Sequence, residues 1–83
     1  MVAPMVTLVF LGRLAEQAGG ATRQLPAPLD WAGLLGAIDT ALAAQVASDR
    51  VRLALNGALL ADKTQLQAGA GDEVALLPPV SGG

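Results

Sequence analysis

The 83-residue chain contains no cysteine and no histidine. Their absence excludes disulfides, thiol redox chemistry, most zinc sites and the commonest general base of enzymes. Aromatic residues are nearly absent too, with Phe10 and Trp31 the only examples. A core must therefore be built from Leu, Val, Ile and Ala, which supply most of a hydrophobic fraction of 53%. There is no basic stripe: five Lys+Arg stand against seven Asp+Glu, and Arg13, Arg23, Arg50, Arg52 and Lys63 are scattered. A nucleic-acid partner needs clustered basic residues, so none is expected.

Long hydrophobic runs are also missing. A membrane span takes about 18 uninterrupted apolar residues, and the nearest stretch, Trp31 to Ser48, carries Asp39, Thr40 and Gln45. No basic residue precedes the apolar run Val6 to Leu11, as a signal peptide would require. The expectation is one small, cytoplasmic domain without a membrane partner, starting at Met1 or Met5.

What is present is a series of short periodic segments. Met5 to Leu11 is β-branched and apolar on both faces, the pattern of a strand that is sandwiched or offers one face to a partner. Arg13 to Ala18 has helix formers and stops at Gly19-Gly20. Thr22 to Leu25 makes a short strand closed by Pro26 and Pro28. Asp30 then caps a main helix whose apolar stripe is Trp31, Leu35, Ile38, Leu42 and Val46. Asp39, Thr40, Ala43 and Ala44 fall on its opposite side. Gly33 and Gly36 weaken this helix and leave room for a strand to approach closely.

Val51 to Leu55 alternates and runs into Asn56-Gly57, a strong hairpin signal, with Ala58 to Leu60 as the return strand. Asp62 to Gly71 is irregular, and Val74 to Leu77 is a final strand ended by Pro78-Pro79. The order β-α-β-α-β-β-β predicts a two-layer α+β domain, with the first and last strands central in the sheet.

No self-contained active site emerges from these residues. Asp72 and Glu73 are adjacent, so in a strand their side chains diverge; Asp72 is expected to close a turn. Gly69-Ala70-Gly71 lacks the Lys-Ser/Thr and helix of a phosphate loop. Ser81 has no base to activate it. No metal site is expected. The chemistry left is at the end of the chain, where Pro78-Pro79-Val80-Ser81-Gly82-Gly83 follows the last strand. A proline pair gives the tail a stiff, extended root, and glycines keep its tip slim. The expected domain limits are 1–77 for the folded body and 78–83 for the tail.

The segment GDEVALLPPVSGG, Gly71 to Gly83, resembles the C-terminal signature of the molybdopterin synthase small subunit, a MoaD-type sulfur carrier of the MoaD/ThiS family. The opening VTLVFLGRLAEQAG and the middle LALNGALLADKTQL are similar to that family's first strand and helix and to its asparagine-centred hairpin. The resemblance implies a ubiquitin-like β-grasp fold, a mixed sheet of four to five strands on one main helix. It further implies that an E1-like enzyme uses ATP to adenylate the Gly83 carboxylate, which a sulfur donor protein then converts to a thiocarboxylate. No cofactor would be bound. The tail, Pro78 to Gly83, would enter the large subunit of a heterotetrameric molybdopterin synthase, which supplies the catalytic residues. Sulfur would pass to cyclic pyranopterin monophosphate and build the dithiolene. By the same resemblance, Leu11, Leu59 and Leu77 would contact the large subunit from the sheet face away from the helix. Their alternative place is the core.

Two other uses of such a tail stand beside this one. A thiamine-pathway sulfur carrier also ends in Gly-Gly, but usually lacks the Pro-Pro-Val step. A ubiquitin-like modifier would instead join Gly83 to lysines of target proteins.

Overall fold

In a computed structural model, which describes residues 3–79, strand β1 (Met5–Phe10) buries every second side chain. Helix α1 (Arg13–Ala18) follows and ends at Gly19 in the left-handed conformation, the common helix stop. Strand β2 (Thr22–Pro26) returns antiparallel to β1. The two-residue strand β3 (Leu29–Asp30) leads into helices α2 (Trp31–Ala37) and α3 (Thr40–Ala47). Strands β4 (Arg52–Leu55) and β5 (Ala58–Leu59) form a hairpin. A 3-10 turn at Lys63–Gln65, the short strand β6 (Gln67–Ala68) and the last strand β7 (Glu73–Leu77) complete the described chain.

The main sheet runs β2-β1-β7-β4-β5, with β7 parallel to β1 and antiparallel to β4. A parallel pair needs a long crossover, and here nearly the whole chain lies between the two partners. β1 and β7, the most apolar strands, are both internal, as expected. Val6, Leu8, Phe10, Val74, Leu76 and Leu53 point from the sheet onto Leu14, Leu34, Leu42 and Val46 of the helices. Each of these is at most 3% exposed. Burying a leucine, valine or phenylalanine is worth about 1.5–3 kcal/mol, so this layer is a large favourable term in folding. Among the described residues no helix covers the opposite face of the sheet.

The segment expected as one main helix is two. Ile38 is extended (φ −114°, ψ 163°), as is Asp39 (φ −69°, ψ 163°). The Asp39 carboxylate accepts from the Leu42 amide at 2.8 Å, so it caps α3 as Asp30 caps α2 through Gly33 at 2.7 Å. The break turns the stripe as well. Leu34 is fully buried, whereas Trp31 and Leu35 only pack at the margin of the core.

The glycines of α2 play unequal parts. A Cβ on Gly33 would lie 3.1 Å from Asp30 Oδ1 and 3.2 Å from Leu29 Cδ1, so β3 does approach there. Gly36 faces open space. The irregular stretch after β5 is also more ordered than its composition implies, because β6 pairs with β3 in a second, two-stranded sheet.

Candidate functional site

The Asn56-Gly57 turn sets the geometry of the open sheet face. Both residues have positive φ, 51° and 85°, the conformation of a tight type I′ hairpin turn. This fixes Ala54 opposite Leu59. Ala54 also pairs with Ala75, which pairs with Val9, which pairs with Thr22. One row therefore crosses the five strands on the face without described helices, polar at Thr22 and apolar from Val9 to Leu59. It is small in the middle and large at its β5 end, where Leu59 is 61% exposed.

The next row lies toward the end of β7. Leu77 pairs with Arg52, and the Leu11 amide donates to the Leu76 carbonyl at 3.1 Å, which continues the β1–β7 ladder and sets Leu11 beside Leu77. Leu11 is 41% exposed and Leu77 half-buried. Leu11, Leu59 and Leu77 thus share the open face, and none of them belongs to the buried core. Val9, which shares the Leu11 side of β1, lies between them as the two-faced strand suggested; Ala75 and the buried Ala54 beside it were not anticipated. On the side that no described helix covers, β4, β7 and β1 mix apolar residues with Arg52, Glu73 and Thr7, so the alternation there is incomplete.

The opposite end of the same face is polar. Asn56 Nδ2 donates to Asp72 Oδ1 at 3.1 Å, and the Glu73 amide donates to Asn56 Oδ1 at 2.9 Å. The Gly69 amide donates to Asp72 Oδ2 at 2.8 Å. Asp72 therefore closes the turn before β7, as expected. The Gly69 amide, and after it the Asn56 side chain, hold the Asp72 carboxyl below the usual aspartate range. These bonds tie the β4–β5 turn to the start of β7. Glu73 is exposed on the open face and does not converge with Asp72 on a common point.

The root of the tail rests against the start of α1. Pro78 is half-buried and packs so near Gly12 that a Cβ on the glycine would meet its Cγ at 3.1 Å. Gly12 has φ 56° and ψ −131°, a backbone conformation that other residues rarely adopt. Val80, Ser81, Gly82 and Gly83 lie outside the described residues. Among the described residues no group of three or more His, Cys, Asp or Glu side chains gathers to hold a metal ion. Among the same residues no helix is long and apolar enough to cross a membrane.

The arrangement supplies a rigid sheet, an exposed apolar end and a proline-rooted chain leaving from that end. Such a body can dock through the apolar residues of its open face.

Known proteins share this fold. The structure is similar to SAMP1 from Haloferax volcanii, at 29% identity over 95% of this chain and 99% of that one, with a TM-score of 0.69. It is also similar to a chain of the complex of subunits 1 and 2 of the molybdopterin-converting factor from Helicobacter pylori. There the identity is 25%, the coverage 95% of this chain and 99% of that one, and the TM-score 0.64. Small archaeal modifier protein 1 from Methanosarcina acetivorans, at 19% identity, shares the fold over the whole of both chains with a TM-score of 0.74. No curated protein matches the sequence. The family model described as ThiS family matches residues 8–83. With that match and its β-grasp sheet, the chain belongs to the ThiS family of ubiquitin-like proteins, which groups MoaD-like sulfur carriers with SAMP1-like modifiers.

Proposed function

We propose that this protein is the sulfur carrier of a molybdopterin synthase. In this reading the Gly83 carboxylate attacks the α-phosphorus of ATP on an activating enzyme, and pyrophosphate leaves. A sulfur nucleophile from a donor protein then adds to the acyl-adenylate, and AMP departs to leave a thiocarboxylate. The carrier docks on the large subunit through Leu11, Leu59 and Leu77 and delivers the tail, Pro78 to Gly83. The thiocarboxylate sulfur bonds to a side-chain carbon of cyclic pyranopterin monophosphate as an oxygen substituent leaves that carbon with its electron pair. Water then cleaves the acyl C–S bond, which leaves sulfur on the pterin and regenerates the carboxylate. The chain's own residues position and present; the partners catalyse.

One observation carries the proposal: the exposed apolar end of the open face lies where β7 hands over to Pro78. A docked partner covering Leu77 would meet the tail at its root. The likeness to a chain from a two-subunit molybdopterin-converting factor supports this choice of partner. The absence of cysteine agrees with sulfur riding on the main-chain terminus rather than on a thiol. Reconstitution tests it: thiocarboxylated carrier, large subunit and cyclic pyranopterin monophosphate should yield molybdopterin, with loss of one sulfur from each carrier consumed. Sulfur retained on the carrier in the presence of both would refute the assignment.

The 29% identity to SAMP1 favours a second reading, conjugation of Gly83 to lysines of other proteins. Both uses begin with the same acyl-adenylate and differ in the nucleophile that follows.

A further inference from the structure

Lys63 is the only lysine in the sequence; the other four basic residues are arginines. Its side chain is only partly buried, yet its ammonium is turned onto backbone carbonyls. Lys63 Nζ donates to the Val46 carbonyl at 2.8 Å, to the Val51 carbonyl at 2.7 Å and to the Ser48 carbonyl. Val46 lies in the last turn of α3 and Ser48 caps it, so the cation sits at the negative end of the helix, where a positive charge is favoured. The Trp31 ring lies beside it, with its centroid 5.8 Å from Nζ, within reach of a cation–π contact.

An ammonium has three N–H donors, and here three carbonyls take all of them. Burial pulls the Lys63 pKa down, Asp49 pushes it back up and Arg52 adds a smaller downward effect. Deprotonation nevertheless fits the site poorly. A neutral amine has two N–H groups and a lone pair, so one carbonyl would lose its donor and face that lone pair instead.

We propose that this carbonyl cage makes Lys63 a non-acceptor, so that the protein does not acylate its own lysine while its C-terminus is activated. The proposal rests on the reading that Gly83 becomes an acyl-adenylate. In self-acylation a neutral amine of one copy would add to the carbonyl carbon of another. A C–N bond forms, the C–O bond to AMP breaks, AMP leaves with the electron pair and the amine proton goes to solvent. That route needs a free lone pair on Nζ, and the cage withholds it. Arginine is always charged and no substitute nucleophile. The activated terminus therefore waits for a sulfur donor or a foreign amine, and chains of copies linked through Lys63 do not form.

The test uses an activated acyl group that needs no enzyme. The full chain carrying Arg50→Lys, at an exposed turn position, is treated with N-hydroxysuccinimidyl acetate, and both lysines are followed by peptide mass mapping. Opening three charge-assisted hydrogen bonds should leave Lys63 slower than the introduced amine by about tenfold or more. In urea, with the fold lost, the two rates should converge. A folded-state ratio below about tenfold overturns the proposal. So does a difference that persists in urea, since the protection would then not come from the fold. ATP–pyrophosphate exchange on the activating enzyme reads the activation of Gly83 separately, so failure of the carrier reading is distinguishable from failure of the cage.

Discussion

Gly12 and Pro78 are in contact across the end of the sheet: a Cβ on the glycine would lie 3.1 Å from Pro78 Cγ. The strand that opens the fold and the tail that leaves it are thereby packed at one point. Gly12→Ala must accommodate both that contact and a φ of 56°. Strain of this kind costs on the order of 1–3 kcal/mol. Urea unfolding should show a loss in that range. Sulfur transfer should slow as well, because the proline root is displaced. A stability unchanged from wild type would contradict the close packing.

Leu77 and Leu76 are neighbours in β7 with opposite roles. Leu76 is fully buried, and Leu77 lies on the open face. Leu76→Ala should cost about 2–5 kcal/mol of stability. Leu77→Lys should leave the isolated domain folded and weaken binding to the large subunit by roughly tenfold or more, as expected when about 1.5–3 kcal/mol of leucine burial is lost. Leu59→Lys should act in the same way. Circular dichroism and titration calorimetry separate the two effects. Unfolding of the Leu77 variant would return this residue to the core.

Asp39 caps a helix start that interrupts an otherwise continuous apolar spacing. Asp39→Ala removes the acceptor for the Leu42 amide and should cost about 1 kcal/mol, within the usual range of roughly 0.5–2 for such caps. Were the segment a single unbroken helix, alanine would instead stabilise it. The sign of the change in a denaturant melt decides between the two.

These residues also explain how much of the fold was legible in the sequence. Strands with strong alternation, the Asn56-Gly57 turn, the cap at Asp30 and the stop at Gly19 are local signals, and the structure places all of them where such signals point. The break at Ile38 and Asp39 was hidden because an aspartate has two meanings, helix cap or solvent-facing residue, and the leucine spacing favoured the second. Leu34 was overlooked for the same reason. The pairing of β3 with β6 joins two residues to two across a long separation, and no local pattern encodes that. On the open face, Leu11, Leu59 and Leu77 lie outside the core as their reading as contacts requires, and Val9 shares the Leu11 side of β1. Ala54 and Ala75 were not named, since small residues leave a weak periodic mark. The Lys63 cage depends on carbonyls from three positions and has no sequence signature.

Acid stability depends on Asp72. The Gly69 amide and the Asn56 side chain stabilise its charged form, which lowers its pKa in the folded state. A depressed carboxyl contributes stability that is present above the unfolded aspartate value, about 3.9, and that is lost as pH falls through the folded value. Asp72→Asn should therefore flatten the dependence of unfolding free energy on pH below about 4. Asp62, lowered by its bonds to Thr64, leaves a residual slope. An Asp72→Asn profile identical to wild type would show that the bonds to Gly69 and Asn56 do not favour the ionised form.

The central claim is that Gly83 carries sulfur. Intact-mass analysis of the chain, after expression with its activating enzyme and a sulfur source, tests it most directly. The account predicts replacement of one C-terminal oxygen by sulfur, dependent on ATP and absent when Gly83 is deleted or followed by an added residue. An unmodified terminus under those conditions, or Gly83 found only in isopeptide linkage to lysines of other proteins, would contradict it.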